Sequence, residues 1–430
     1  MTKKIFFASF FLFTSTFSFS QGVTFDAKAL LFLTDADMSA FSIADGILRK
    51  MPNRMDLIST VSFPLTYGDP DLIVSDKASN SLIGSHKDIA ISSDQKRAYV
   101  LETRSETTDD AIAIEHILDE FPAGDYITVV DIEDPKKPKS LYRFSVGENP
   151  QSISLDSKGR YLAITTEVYG KEIRIFELDQ SGKPVRVIPK PGQLPPGKIV
   201  DLTWHPDGEH LAYINQDESE VGIIKLLKDG PSGDVIRSEI EGPTVKLSGF
   251  LTHGEFSPDG NYFLVLDAKK ELDNEEIADP GEIYVIKFNF DTGKHFLNDK
   301  AKVEENPTSF EFHPDGSYLL VSNMKKSFYT NPPLGQASAA SFSLLQLNAD
   351  GTIKLLENYP VEGMMPSSVA FDKSGENIAY SVFEYRSYGY TLGGIEFLKF
   401  NAAAKTKLSS QKSRIYVPRG IHSLKPLIDY

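Results

Sequence analysis

The sequence predicts an all-β fold: a seven-bladed β-propeller of four-stranded blades, with the ring closed by pairing of strands from the two ends of the chain. Three observations predict it. One strand-turn-strand pattern recurs six times after residue 85, further strand-like segments follow the copies, and the fragments left over at the two ends complement each other.

The recurring pattern is a small or polar start, an alternating apolar strand, a tight polar turn and a strand of solid apolar residues. It reads DIAISSDQKRAYVL (88–101), SISLDSKGRYLAIT (152–165), VDLTWHPDGEHLAYI (200–214), HGEFSPDGNYFLVL (253–266), SFEFHPDGSYLLVS (309–322) and SVAFDKSGENIAYS (368–381). The turns fall at Gln95, Gly159, Gly208, Gly260, Gly316 and Gly375, with steps of 49 to 64 residues. A four-stranded blade takes roughly 40–50 residues, so the excess belongs to loops. In each PDG or KSG element, proline presets a negative φ, aspartate bonds its own backbone and glycine accepts a positive φ, which is hairpin-turn chemistry.

Outer strands follow. EIRIFEL (172–178) and PVRVIP (184–189) complete the second copy, VGIIKLL (221–227) and VIRSEI (235–240) the third, and EIYVIKF (282–288) extends the fourth. At the N-terminus ALLFLTD (29–35), SAFSIAD (39–45) and MDLISTVSF (55–63) read as strands b, c and d with no strand a before them. At the C-terminus GIHSLKPLI (420–428) reads as a strand a with nothing after it. Joining these fragments makes the seventh blade and removes the exposed edges of an open array. One domain, residues 22–430, is expected.

Residues 1–20 stand outside it. Lys3 and Lys4, the apolar run 5–13 and the small residues 18–20 have the form of a signal peptide, so a periplasmic or secreted protein is expected. Nine apolar residues are too few to span a bilayer, which takes about 20, so no membrane insertion is expected. The chain has no cysteine, which excludes disulfides, thiolate metal sites and cysteine nucleophiles. The net charge is −15, and an acidic surface argues against nucleic acid as a partner. The expected protein is a monomer.

HPDGSYLLVSN (313–323), HGEFSPDGNYFLVLD (253–267) and the element 367–381 are similar to repeats of the lactonase-like and YVTN-type seven-bladed propellers. That superfamily includes 6-phosphogluconolactonase and the fungal carboxymuconate-lactonising enzymes. The resemblance covers almost the whole chain after residue 21 and implies the propeller fold. Its enzymes usually carry a Pro-Arg-His element at the start of a strand a and a glutamate at the end of the next strand b. Here Thr308 and Ser309 stand at the Arg-His positions and Asn323 near that of the glutamate.

Long connections between strands b and c converge on one face of a propeller, where binding surfaces are usually built. Four are extended here: 102–125, with a helix expected after Asp109 or Asp110, then 268–281, 324–337 and 384–394. The last groups Tyr385, Arg386, Tyr388 and Tyr390, residue types that anchor ligands or partners. His86, His253 and His422 start strands a and are expected near the channel mouth, joined by Glu102, Arg104, Glu167 and Asp267 at the ends of strands b. His205 and His313 lie in HPDG turns and are expected to stabilise those turns, and Trp204 is expected in the core.

Two functions compete. One is a non-catalytic propeller that binds a small molecule or a protein on its loop-rich face through Glu102, Glu167, Asp267, Tyr385, Arg386, Tyr388 and His422. The other is a lactonase-like hydrolase or cycloisomerase acting on a small carboxylated or sugar-derived substrate. There, His253 or His86 would abstract a proton and Arg104 would polarise a lactone carbonyl. No cofactor is expected. The acidic loop 271–282, with Glu271, Asp273, Glu275, Glu276, Asp279 and Glu282, has the oxygen density for calcium but neither the ligand alternation nor the central glycine of an EF-hand.

Overall fold

Alternating apolar residues next to turn-forming tripeptides leave each repeat one stable arrangement, an antiparallel hairpin with one strand buried on both faces. The computed structural model describes residues 22–428 except 49, 51–53, 67, 70, 85–86, 108–120, 231–232, 270–278, 329–338, 387–388 and 390, and it shows seven antiparallel sheets of this kind. Strands a of blades 1 to 6 are Ile89–Ile91, Pro150–Leu155, Ile199–Trp204, Leu251–Phe256, Pro307–Phe312 and Val369–Phe371. Each is followed outward by strands b, c and d in sequence order, and blade 3 carries an additional two-residue strand, Val245–Lys246, on its strand c. Burial falls from the axis outward. In blade 2 the strand b Tyr161–Thr166 is buried throughout, whereas the strand d Pro184–Ile188 is mostly exposed.

The seventh blade is made from both ends of the chain. Its strand a, Ile421–Leu427, pairs with Ala29–Thr34 through Ala29↔Leu427, Leu31↔Lys425 and Leu33↔Ser423. The assignment of 39–45 as strand c is corrected: Ala40–Asp45 is a short helix. The Ser39 side chain accepts from the Ser42 amide and Gly46 ends the turn with φ +70°, so local capping outweighs the alternation seen in the sequence. Strand c is therefore Leu57–Ser62, inside the segment expected as strand d, and strand d is Ile73–Lys77. As a half-exposed outer strand, IVSDK has no apolar run to announce it.

Neighbouring sheets pack face to face. Tyr99 and Leu101 of blade 1 meet Leu162, Ile164 and Phe176 of blade 2, and at the closing junction Leu31 and Leu33 meet Ile89, Val100 and Leu427. Each such side chain contributes roughly 1.5–3 kcal/mol by leaving water.

Two belts of polar contacts tie the blades together. Around the axis, Ile153 N–H donates to Lys87 O at 2.9 Å, Trp204 Nε1–H to Ser154 O at 3.1 Å and Gly254 N–H to Asp201 at 2.9 Å. Ser309 Oγ donates to Ser367 O at 2.6 Å, Ser367 Oγ to His422 O at 2.9 Å, and His422 Nε2 to Asp88 at 2.7 Å, with Ser423 Oγ also on Asp88. Between blades 4 and 5 the contact is instead aromatic, His253 edge-on to Phe310 at 5.1 Å.

The second belt runs through the a–b turns. The His205 ring lies against Gly260 of the next turn, and His313 against Gly375 of the one beyond its own. Gly260 and Gly375 have φ of +73° and +75°, and a Cβ on either would run into the histidine. These glycines therefore serve the turn and the blade junction together. His205 and His313 are turn residues, as expected: Nδ1 accepts from the amide of Asp207 in one turn and Asp315 in the other.

Gly375→Ala is expected to cost about 2–4 kcal/mol, from the left-handed backbone and the collision with His313. Adding His313→Ala should recover only the collision part, and a double-mutant cycle by denaturant unfolding would measure it. A second expectation concerns pH. Burial alone would lower the His422 pKa, but Asp88 and Asp35 outweigh it and raise it above the ordinary value. A raised folded-state pKa gives stability that is complete below about 6.5 and lost as pH climbs through the folded value. The melting temperature should therefore fall with pH above about 6.5, and Asp88→Asn should flatten that slope.

Candidate functional site

The inner strands set the site by register. Asp88, Ser152, Asp201, His253, Ser309, Ser368 and Ser423 occupy one level around the axis, one from each blade. Ser152 faces Thr165, Asp201 faces Ile214, Ser309 faces Ser322 and Ser423 faces Leu33, while Leu101 and Ser381 donate their amides to Asp88 and Ser368. In five blades the register slips just before this level, between Pro150 and Ser152, Ile199 and Asp201, Leu251 and Gly254, Pro307 and Ser309, and Leu33 and Thr34. Bulges at such a point re-aim side chains.

Two residues further along, the same face of each strand presents Ala90, Ser154, Thr203, Glu255, Glu311, Ala370 and Lys425. Together these levels enclose a cavity of about 190 Å³ lined by Lys87, His253, Glu255, Ser309, Glu311 and Lys425 among others. Lys87 crosses blade 2 to reach Asp201 at 3.2 Å, Gly254 O at 2.6 Å, Thr203 Oγ1 and Glu255 at 3.4 Å. Lys425 passes the small Ala370 to reach Glu311 at 3.4 Å. His253 Nδ1 stands 3.4 Å from Asp201 Oδ2. Burial would raise the Asp201 pKa, but the charges of Lys87 and His253 hold it below the usual carboxylate range.

Exposure gives the direction of access. The side chains of Asp201, His253 and Lys87 are 1%, 6% and 10% exposed, whereas Glu255, Glu311 and Lys425 are 34%, 35% and 38% exposed. The cavity therefore opens toward the a–b turns. Its other end, under the b–c loops, is covered by an apolar cluster that includes Met38, Leu82, Phe121, Met324, Phe328, Met364 and Phe383. Beside this cover lie three buried aspartates. Asp35 accepts from the amides of Asp37, Met38 and Leu82, Asp56 from those of Ala36 and Asn80, and Asp37 pairs with Lys50 at 3.3 Å.

Of the described residues singled out in the sequence, His253 lines the cavity, as does Ser309 from the Arg-His positions, whereas His422 is turned into the Asp88 contact behind its wall. Arg104 Nη1 donates to Thr103 O at 3.0 Å and Asn149 at 3.2 Å, and Nη2 lies 3.7 Å from Glu167, which also pairs with Lys198 at 2.9 Å. Glu102 accepts from the Asp125 amide at 3.2 Å. Asp267 accepts from the amides of Phe250 and Lys269. Tyr385, expected on the rim, is buried: its hydroxyl donates to Glu396 at 2.7 Å and Arg414 covers its ring at 4.2 Å. Arg386 Nη2 donates to Ser327 O at 3.0 Å. His86, Tyr388, Tyr390, the helix expected after Asp109 and most of the acidic loop lie outside the described residues. Glu282, at the end of that loop, is engaged by Lys269 at 2.6 Å and Lys300 at 2.9 Å.

Sequence reasoning passed over Lys87, Asp201, Glu255, Glu311 and Lys425. A signal existed for two of them: HGEFSPDG and SFEFHPDG place Glu255 and Glu311 at the same repeat position, two residues after a cavity-level residue.

No family model matches the chain, and no curated protein does. Solved structures do match. A crystal structure of a putative 6-phosphogluconolactonase from Bacteroides uniformis superposes with a TM-score of 0.60 at 14% identity, covering 93% of this chain and 99% of that one. One from Bacteroides fragilis gives 0.60 at 14%, with 93% and 98% covered. A periplasmic gluconolactonase from Pseudomonas aeruginosa gives 0.59 at 12%, with 92% and 98% covered. The chain thus has the seven-bladed propeller fold that these 6-phosphogluconolactonase-like structures share.

Proposed function

We propose that the protein is an exported β-propeller that binds a small, hydroxylated carboxylic acid in its axial cavity. The observation that carries this reading is the cavity wall, where Lys425, Glu311 and Glu255 alternate with serine hydroxyls and His253 at one end of the channel. The ammonium supplies a counter-charge for a carboxylate, and the glutamates accept from hydroxyls. At about 190 Å³ the cavity is smaller than the roughly 300–1,000 Å³ of pockets for drug-sized ligands, which favours a compact solute. Export rests on the pattern of residues 1–20. The names of the neighbouring structures make gluconate and its lactone the first compounds to test.

A second reading is lactone hydrolysis, favoured by His253, which lines the cavity with Asp201 behind it. At 3.4 Å the carboxylate acts on the imidazole through its charge rather than through a hydrogen bond, favouring the protonated ring that forms when His253 serves as general base. His253 would take a proton from water as the new C–O bond forms, and return it to the ring oxygen as the ring opens.

Calorimetric titration of gluconate should show binding by the intact protein. Lys425→Ala and Glu311→Ala should each weaken it about tenfold or more, since a hydrogen bond to a charged group contributes roughly 1.5–3 kcal/mol. Equal affinity in both variants would contradict the cavity as the site. Opening of glucono-δ-lactone above the spontaneous rate, abolished by His253→Asn, would select the second reading.

A further inference from the structure

The a–b turn of blade 3 departs from the repeat in one residue. Two positions after the turn residue, Gln95 in blade 1 and glycine elsewhere, the other copies have Arg97, Tyr161, Tyr262, Tyr318 and Asn377, and blade 3 has His210. This second histidine meets the first across an aspartate. His205 Nδ1 and His210 Nδ1 lie 2.9 and 2.7 Å from the same atom, Asp207 Oδ2. Their other nitrogens also face oxygen: His205 Nε2 is 3.1 Å from Gly260 O, and His210 Nε2 is 2.8 Å from Glu241 Oε2.

Four ring nitrogens thus lie near three oxygens that can only accept, Asp207 Oδ2 being shared by both Nδ1 atoms. A neutral imidazole carries one N–H, so two neutral rings can satisfy only two of these contacts. Gly260 O claims the His205 Nε2 proton, whereas His210 Nε2, although 2.8 Å from Glu241 Oε2, is not aligned for a hydrogen bond, and His210 bonds through Nδ1 to Asp207. The Asp207 amide, 3.2 Å from His205 Nδ1, calls for a lone pair there, and that lone pair faces Asp207 Oδ2 at 2.9 Å. A lone pair against a carboxylate oxygen is repelled unless a proton or a metal ion lies between them, and a metal ion there would also take the place of the proton shared by His210 Nδ1 and Asp207.

We propose that His205 Nδ1, His210 Nδ1 and Asp207 Oδ2 form a binding site for a divalent transition metal of the zinc type. Two imidazoles and a carboxylate are borderline ligands that suit zinc, and the bond of His205 Nε2 to Gly260 O is the kind of outer hydrogen bond that orients a ligating histidine. Tetrahedral ligands at about 2.0–2.1 Å from zinc stand roughly 3.3 Å apart, so the two contacts open by about half an ångström on binding. His210 is buried and stacked on Phe290 at 4.0 Å, which leaves little freedom elsewhere in the site. The metal would clip the blade 3 turn to Glu241 beyond strand d and, through Gly260, to blade 4. This site lies in the a–b turns rather than in the cavity wall. The blade 5 turn serves as an internal control, because it keeps the His313–Asp315 contact at 2.8 Å but has Tyr318 in place of the second histidine.

The test is titration of the full chain, stripped with chelator, with zinc alone by calorimetry and thermal melting. One zinc per chain and a rise of several degrees in melting temperature are expected. His210→Tyr, which restores the residue of blades 2, 4 and 5, and Asp207→Asn should each weaken binding at least tenfold, while Asp315→Asn should not. Unchanged zinc binding in His210→Tyr, or none in the parent chain, would overturn the proposal. If either substitution prevents folding, cobalt(II) added to the parent chain decides the matter. Intense visible bands of a tetrahedral nitrogen-oxygen site support the proposal, and their absence refutes it.

Discussion

The pairing of Ile421–Leu427 with Ala29–Thr34 is the contact on which the rest of the architecture depends, because seven sheets radiating from one axis have a free edge at any junction left open. With that pair in place, the last inner strand lies against the first. His422 and Ser423 meet Asp88, and the belt around the axis becomes continuous. The cavity follows from the same closure, since its lining comes from strands a that are far apart in sequence. Lys425, two residues from Ser423, reaches Glu311 only because the closing strand is set beside blade 6.

Repetition and departure from it carry different information in this chain. Positions that repeat serve the ring: turn glycines receive the side chain of a neighbouring turn, and apolar strand b residues fill the junctions between blades. Positions that break the repeat gather the chemistry. Among the cavity-level residues, Asp201 and His253 stand where four other blades have serine, and Glu255, Glu311 and Lys425 stand where the other blades have alanine, serine or threonine. Lys87 is pulled toward the carboxylates this creates and closes the inner end of the channel. The outer end stays open, where exposed charges can exchange a pair partner for a solute.

Much of the ring was legible because turn chemistry and apolar periodicity are local. The recurring turns, PDG in three copies, SKG and KSG in two and SDQ in one, marked six blades, and the unmatched end fragments implied the seventh. Local signals also misled. Ser39 and Gly46 cap a helix inside a segment whose alternation looks like a strand, and the polar IVSDK gave no sign of being one. The site was less legible, because convergence at the axis depends on register and bulges that no single strand reveals. His253 was recognisable as a histidine near the start of a strand a. Asp201 and Lys87 become its neighbours only after three blades are set in place. Tyr385 had the residue type of a binding rim, but Glu396 and Arg414 from neighbouring strands draw it into the core.

Removing residues 420–430 tests the closure most directly. Ile421, Leu424 and Leu427 are buried in the closed ring, and at roughly 1.5–3 kcal/mol each their loss is of the same order as the ~5–15 kcal/mol that stabilises a typical domain. The measurement is the thermal unfolding curve and the association state of the truncated chain, with and without a synthetic peptide of residues 420–430. Closure by this strand predicts loss of the cooperative transition or aggregation, and recovery of the transition when the peptide is added. A truncated chain that stays monomeric and unfolds cooperatively at the original temperature would contradict it.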